Sequence, residues 1–230
     1  MIASVRKSAY FDSDSIERVS GEMLREIEPL RSRHRLPFVP ERSVLLILDL
    51  QRYFLEETSH AYVPSAKAIV PRIVRVAEAY RSRGLPIVLT RHSNSEGDNG
   101  MMPRWWRDVI RPGSPSSEII PEVRLFGPIV EKGEYDAFYG TPLERILRER
   151  GVAQIVVCGV MTHLCCETTA RSAFVRGFEV FFTIDGTASY TEAFHRAALL
   201  NLAHGFAVPV LVNEILSAFG HPASEEAVPR

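Results

Sequence analysis

The residue best suited to carry out a reaction is Cys165, which lies between a predicted strand and a predicted helix. Residues 154–158 form a short run rich in β-branched side chains, and residues 164–176 are compatible with a helix. Unpaired backbone N–H groups at a helix start, together with the positive end of the helix dipole, favour a thiolate. This arrangement predicts a nucleophilic cysteine. Free cysteines are also common as inert packing residues, so this stretch alone leaves both interpretations open.

Asp49 and Lys132 each follow another predicted strand. Ligands of open α/β sheets bind beyond the carboxyl ends of the strands, so the topology is expected to bring both residues close to Cys165. A carboxylate beside a cysteine can accept the thiol proton and later return it to a leaving group. A nearby ammonium stabilises the thiolate and keeps the aspartate ionised. Considered alone, the aspartate could simply cap a turn and the lysine could be a solvated surface charge. The prediction of a catalytic site therefore depends on the three residues together.

The other two cysteines are interpreted as packing residues. Cys158 lies inside the predicted strand, and Cys166 lies ~100° around the helix from Cys165 at 3.6 residues per turn. An odd number of cysteines, two of them adjacent, does not make a disulfide framework and indicates a reducing compartment.

The elements that must position these residues alternate between strand and helix. The predicted strands are 44–48, 86–90, 127–131, 154–158, 179–184 and 207–212, and the helices after them are 65–83, 142–150, 164–176, 191–204 and 214–219. This alternation predicts an α/β fold with a parallel sheet, helices on both faces and right-handed crossovers. Residues 91–126 form a long irregular segment that is expected to be a lid or binding loop. No Gly-x-Gly-x-x-Gly motif follows the first strand, so the sequence does not predict binding of a dinucleotide cofactor.

Residues 1–40 are expected to be an arm and a helix outside the main domain, which spans 41–230. The helix pattern runs over 14–28 and is predicted to end or bend near Glu28, because Pro29 follows. Its apolar stripe must cover either the domain or a neighbouring subunit.

Composition narrows the class of protein. Hydrophobic residues make up 46% and charged residues 24% of the 230, as in ordinary globular proteins. A net charge of −1 gives no electrostatic case for nucleic acid or a membrane surface as partner. No apolar run has the length of a membrane span or a signal peptide, which predicts a cytoplasmic protein.

Three ordered motifs resemble the isochorismatase-like cysteine hydrolase superfamily, near its N-carbamoylsarcosine amidase-like and isochorismatase members. They are Leu48-Asp49-Leu50-Gln51, then Glu131-Lys132 with Tyr135-Asp136-Ala137-Phe138 and Thr141-Pro142-Leu143, then Gly159-Val160-Met161-Thr162-His163-Leu164-Cys165. The match extends from about residue 42 to 216. The resemblance implies a three-layer α/β/α fold with six parallel strands and a homo-oligomer, either dimer or tetramer.

The resemblance also implies roles for individual residues. Asp49, Lys132 and Cys165 become a catalytic triad, the peptide between Val160 and Met161 becomes cis, and the amides of Met161 and Cys165 become an oxyanion hole. The expected substrate-binding residues are Phe54, His92, Tyr135, Phe138 and His163.

Three functions remain open. The leading prediction is a metal-independent cysteine hydrolase that cleaves a C–N bond of a small amide, ureido or carbamoyl substrate through an acyl-enzyme. Nicotinamidases of the superfamily carry an Asp-x-His metal site after the first helix; this sequence lacks it, so no metal and no cofactor are expected. The alternatives are an isochorismatase, in which the position of Cys165 is typically glycine, and a non-catalytic binding protein.

Overall fold

A computed structural model describes residues 6–34, 36–95, 97, 100–106 and 108–220. Six parallel strands form one sheet in the order β3-β2-β1-β4-β5-β6. Their bounds are β1 Ser43–Leu48, β2 Ile87–His92, β3 Ile129–Lys132, β4 Gln154–Val160, β5 Glu179–Ala188 and β6 Val208–Val210. The predicted α/β fold with a parallel sheet is confirmed, and β5 extends further than its apolar run indicated.

Helices cover both faces of this sheet. They are α1 Ile16–Arg31, α2 Arg52–Leu55, α3 Ala66–Ser82, α4 Met102–Trp105, α5 Leu143–Glu149, α6 Glu167–Val175, α7 Glu192–Gly205 and α8 Val212–Ala218. In the described part of the chain, none of these helices is long and apolar enough to cross a membrane.

The two central strands, β1 and β4, determine where the candidate site lies. Every residue of both is buried, as expected for strands covered on both faces. The chain proceeds outward from β1 to β3 on one side and from β4 to β6 on the other. The strand order therefore reverses between β1 and β4, and ligands of open α/β sheets bind at that point, beyond the carboxyl ends. Asp49 follows β1, and the turn that contains Cys165 follows β4.

Gly159 allows β4 to approach β1 closely at this point. It pairs with Leu48 and has a φ of +115°, a conformation that L side chains rarely adopt. A Cβ atom there would lie 2.0 Å from the Leu48 carbonyl oxygen, which belongs to the backbone and cannot rotate away.

Gly159→Ala is therefore expected to lower the free energy of unfolding by about 2–4 kcal/mol, through backbone strain and overpacking together. Gly177→Ala is the matched control, since Gly177 also has a positive φ of +81° but open space around its Cβ position. That control should lose only about 1 kcal/mol. Urea unfolding of both variants measures the difference, and equal losses would contradict the close-approach argument.

The amino-terminal helix α1 packs on its own domain. Its buried side chains, Ile16, Val19, Met23 and Ile27, face α7 and the sheet at β5. The helix does not end near Glu28, because it continues to Arg31 with Pro29 inside it. A proline this close to the end removes one backbone hydrogen bond without stopping the last turn.

The long segment 91–126 is less irregular than its sequence indicated. Its first two residues complete β2, and it contains the single turn α4 and a 3-10 turn at Pro115–Ser117. Ile119 forms an isolated antiparallel bridge with Gln51. This bridge ties the segment to the end of β1, beside the candidate site.

Candidate active site

Asp49, Lys132 and Cys165 meet at the carboxyl edge of the sheet. Lys132 Nζ lies 2.8 Å from Asp49 Oδ2 and 3.4 Å from Cys165 Sγ. All three are almost completely removed from solvent. The structure thus brings together the three residues that the sequence singled out from three different strand ends.

Asp49 is held in one orientation by its backbone and by Thr90. Its φ is +52°, which makes it a non-glycine residue in the left-handed region. Its Oδ1 accepts a 2.6 Å hydrogen bond from the Thr90 hydroxyl, whose oxygen accepts one from the Asp49 amide. Apart from the ion pair with Lys132, Oδ2 has no hydrogen-bond partner among the described residues. Burial acts to raise the pKa of Asp49, but the Lys132 charge, the neighbouring His92 and the hydrogen bond from Thr90 together outweigh it, so the pKa lies below its usual value.

Lys132 is a buried cation rather than a solvated surface charge. Its ammonium also donates to the Glu134 carbonyl oxygen at 2.9 Å, which leaves it surrounded by acceptors. Burial acts to lower the pKa of Lys132, but the neighbouring Asp49 carboxylate and Cys165 sulfur raise it above the ordinary value. The lysine is therefore charged at neutral pH, and it keeps Asp49 ionised.

Cys165 does not lie in the first turn of an α-helix. It belongs to a π-helical turn, Thr162–Cys166, and α6 begins after it at Glu167. Burial raises the pKa of the Cys165 thiol to about 12, although Lys132 acts in the opposite direction. The expectation that the helix start favours a thiolate is thus wrong for the resting protein, because removal from water outweighs the favourable charges. The resting pair is a neutral thiol beside a carboxylate.

Cys158 and Cys166 are free, fully enclosed thiols. Burial raises the pKa of each well above the ordinary value. Both pack in the apolar core, as the sequence predicted.

The turn after β4 presents backbone as well as sulfur to the site. The Val160–Met161 peptide is cis in the structure. Met161 and Cys165 both line the cavity beside the thiol. The assignment of their amides to an oxyanion hole remains a prediction.

A small, largely apolar cavity opens on the Cys165 sulfur. Five aromatic side chains line it, two from the short helix α2 and three from the connections between elements: Tyr53, Phe54, Trp106, Tyr135 and Tyr190. Trp106 Nε1 donates a 2.6 Å hydrogen bond to the Tyr135 hydroxyl, which fixes part of the segment 91–126 against the residues after β3. Among the described lining residues there is no arginine or lysine.

Three of the five predicted substrate contacts line this cavity: Phe54, His92 and Tyr135. Phe138 does not, because its ring stacks on Phe178 at 5.9 Å and lies under the Arg176 guanidinium. His163 also points elsewhere. Its Nδ1 pairs with the Ser189 hydroxyl at 2.6 Å, and its ring stacks on Phe194 at 4.4 Å.

His92 connects the cavity to the ion pair. Its Nδ1 lies 3.4 Å from Lys132 Nζ and its Nε2 lies 3.1 Å from Asn94 Oδ1. Burial first, and the Lys132 charge second, lower the pKa of His92 to about 4. The imidazole is therefore neutral, and it can accept from the ammonium while it donates to the amide oxygen.

Gln51 and Thr90 are functional neighbours that sequence reasoning missed. The fully buried Gln51 amide donates to the carbonyl oxygens of His92 and Ser117 and accepts from the His92 amide. It thereby joins the ends of β1 and β2 to the segment 91–126. The sequence feature that could have identified Gln51 and Thr90 is a polar residue in or soon after an apolar strand, at the end of the strand where ligands bind.

The residues present do not fit a metal site like that of nicotinamidases. In the described ranges, no three His, Cys, Asp or Glu side chains are placed to bind one ion. At the cavity mouth, His60 Nδ1 lies 3.5 Å from Asp108 Oδ2, and this pair supplies only two ligand groups.

Comparisons with known proteins agree with this fold. A family model described as "Isochorismatase domain" matches residues 43–214. Nicotinamidase 3 of Arabidopsis thaliana is 43% identical over 171 residues, which cover 72% of this chain and 82% of that relative.

Two solved structures extend the comparison. A cysteine hydrolase from Pseudomonas syringae pv. phaseolicola superposes with a TM-score of 0.77 at 28% identity, covering 81% of this chain and 96% of that one. N-carbamoylsarcosine amidase from Thermoplasma acidophilum superposes with a TM-score of 0.66 at 26% identity, covering 75% and 97%. Fold and site together define a three-layer α/β hydrolase with a cysteine beside a buried aspartate–lysine pair. The chain belongs to the isochorismatase family.

Proposed function

We propose that this protein is a metal-independent cysteine amidohydrolase that cleaves the C–N bond of a small aromatic carboxamide. The observation that carries the proposal is the buried group Asp49, Lys132 and Cys165, which opens on a small aromatic cavity. A thiol that is neutral at rest needs a base at the moment of attack, and the ionised Asp49 stands beside it.

The proposed reaction has two halves. In the first, Asp49 takes the thiol proton while the Cys165 sulfur bonds to the amide carbon, and the carbonyl oxygen becomes an oxyanion held by the Met161 and Cys165 amides. The C–N bond then breaks, and the nitrogen leaves as ammonia with the proton from Asp49. In the second, water gives a proton to Asp49 and attacks the thioester carbon. The C–S bond breaks, the carboxylic acid leaves, and Asp49 returns the proton to sulfur.

Nicotinamide is the first substrate to test. The relative at 43% identity is named a nicotinamidase, and a flat aromatic ring suits a cavity walled by Tyr53, Phe54, Trp106 and Tyr190. Isochorismate, in contrast, carries two carboxylates, and the described lining offers no arginine or lysine to pair with them.

Product detection separates this proposal from its alternatives. We expect ammonia from nicotinamide, with lower release from benzamide and from carbamoyl and ureido acids. Pyruvate from isochorismate would indicate an isochorismatase instead, and neither product from the full panel would indicate a binding protein. Prior treatment with a chelator should leave the rate unchanged, and a loss that Zn²⁺ or Fe²⁺ restores would contradict metal independence.

The pH dependence of the reaction follows from the buried charges. Asp49 must be ionised to act as base, so activity is present above its lowered pKa and is lost only as the pH falls below the ordinary carboxyl range. His92, with a pKa of about 4, and the raised pKa of Lys132 add no transition near neutrality. We expect kcat/KM to be flat between about pH 5 and 9. A half-loss centred near 6.5, the ordinary histidine pKa, would show that a different group controls the reaction.

The expected cytoplasmic location and the homo-oligomeric state stay predictions. Size-exclusion chromatography with light scattering measures the second directly.

A further inference from the structure

The segment before α1 reaches the active site, although it precedes the region that the family model matches. The backbone amides of Tyr10 and Phe11 donate to the buried Ser65 hydroxyl at 3.0 and 3.1 Å, which anchors the segment at the start of α3. The Ser8 amide donates to the Tyr190 carbonyl oxygen at 3.0 Å. The ammonium of Lys7 lies 4.1 Å from the centre of the Tyr190 ring. Because Tyr190 lines the cavity, this segment supports one wall of the site.

Tyr10 extends the contact to the catalytic turn. Its hydroxyl lies 2.9 Å from Nδ1 of His195, a fully buried residue of α7, and accepts a 2.8 Å hydrogen bond from the Ser189 amide. The Thr162 hydroxyl lies 2.9 Å from the same His195 nitrogen. Thr162 begins the π-helical turn that ends at Cys166. One buried imidazole nitrogen therefore joins Tyr10 to the turn that carries the nucleophile.

We propose that Tyr10 is a positioning residue, which holds the Thr162–Cys166 turn through His195 so that Cys165 faces Asp49 and Lys132. Tyr10 does not touch the cavity, and its effect is transmitted by the two hydroxyls that share one nitrogen. The sulfur must lie within a fraction of an ångström of its productive place, so a turn that loses this support should lose turnover more than binding. The proposal rests on the amidohydrolase function proposed above.

The chain offers a matched control in Tyr80. Tyr80 is completely buried, whereas Tyr10 is half-buried, and the Tyr80 hydroxyl lies 2.6 Å from the Ser43 hydroxyl at the opposite end of β1. Tyr80→Phe and Tyr10→Phe each delete one enclosed hydroxyl without changing the ring. Any general effect of a lost hydrogen bond on the fold appears in both variants.

Two measurements test the proposal. With nicotinamide, Tyr10→Phe should lower kcat by roughly 10- to 100-fold with KM within about twofold of wild type, and Tyr80→Phe should keep kcat within about twofold. By hydrogen exchange with mass spectrometry, a peptide spanning 161–166 should exchange faster in Tyr10→Phe only. The exchange measurement needs no substrate, so it decides the positioning role even if wild type hydrolyses nothing in the panel. A kcat within twofold of wild type, an equal kcat loss in Tyr80→Phe, or unchanged exchange over 161–166 would overturn the proposal.

Discussion

Replacing Cys165 with alanine is expected to lower kcat/KM for nicotinamide by at least about 10³-fold, while the protein stays folded. Without sulfur there is no thioester, and the remaining groups can only polarise the carbonyl for a poorly placed water. The side chain is small and lies at the cavity rather than in the packed core, so its loss should cost little stability. Steady-state ammonia release measures the first effect, and thermal unfolding measures the second.

Cys166→Ala is the control for this experiment. Cys166 is the next residue, it is completely buried, and it packs in the core away from the cavity. Its replacement should lower stability more than Cys165→Ala does, because it leaves a void in the core, and kcat/KM should stay within a few fold of wild type. If Cys165→Ala kept a tenth of the activity, or if Cys166→Ala lost as much, the nucleophile would be misassigned.

Lys132→Met is expected to have the second large effect, on stability and activity together. The substitution keeps the length of the side chain but leaves the Asp49 carboxylate buried without its cation. Removing one partner of a buried ion pair typically costs about 3–5 kcal/mol. With the opposing charge gone, burial should raise the pKa of Asp49 above its ordinary value, so the base is protonated and turnover is lost.

The loss of stability in Lys132→Met should increase with pH. In wild type the folded-state pKa of Asp49 is lowered, so its contribution to stability is fully present above the ordinary carboxyl pKa and is lost as the pH falls through the lowered value. In Lys132→Met the folded-state pKa is raised, so ionisation favours the unfolded chain as the pH rises through the ordinary carboxyl range. The deficit relative to wild type should therefore be smaller near pH 4 than near pH 7.

Urea unfolding at both pH values measures this change. The double variant Asp49→Asn/Lys132→Met removes both charges, so it should recover most of the stability at pH 7 but none of the activity. A deficit independent of pH, or a double variant no more stable than Lys132→Met, would contradict the ion-pair interpretation.

The sequence predicted the triad because strand ends are positions that topology determines. Asp49, Lys132 and Cys165 each follow a strand whose apolar pattern is plain, and a parallel sheet brings such positions to one edge. The same reasoning located His92, which is the last residue of β2. It does not distinguish Phe54 from Phe138, because each lies six residues past its strand; Phe54 lines the cavity, whereas Phe138 stacks on Phe178.

The remaining parts of the site depend on contacts between distant segments. Tyr10 reaches His195 through packing of the segment before α1, which no local pattern encodes. The protonation state of the Cys165 thiol could not be predicted from the local sequence either. A helix start favours a thiolate, but the degree of burial that raises the pKa of Cys165 follows from the whole fold.

The most direct test of the Cys165 acyl-enzyme is a competition between two nucleophiles, water and hydroxylamine, for the same acyl group. Nicotinamide and methyl nicotinate share one acyl group but have different leaving groups, and hydroxylamine added to the reaction competes with water for it. If both substrates pass through the same Cys165 thioester, the ratio of hydroxamate to acid should be identical for the two, and Cys165→Ala should form neither product. Ratios that differ between the substrates, or acid formed without hydroxamate at any hydroxylamine concentration, would show that no common thioester exists.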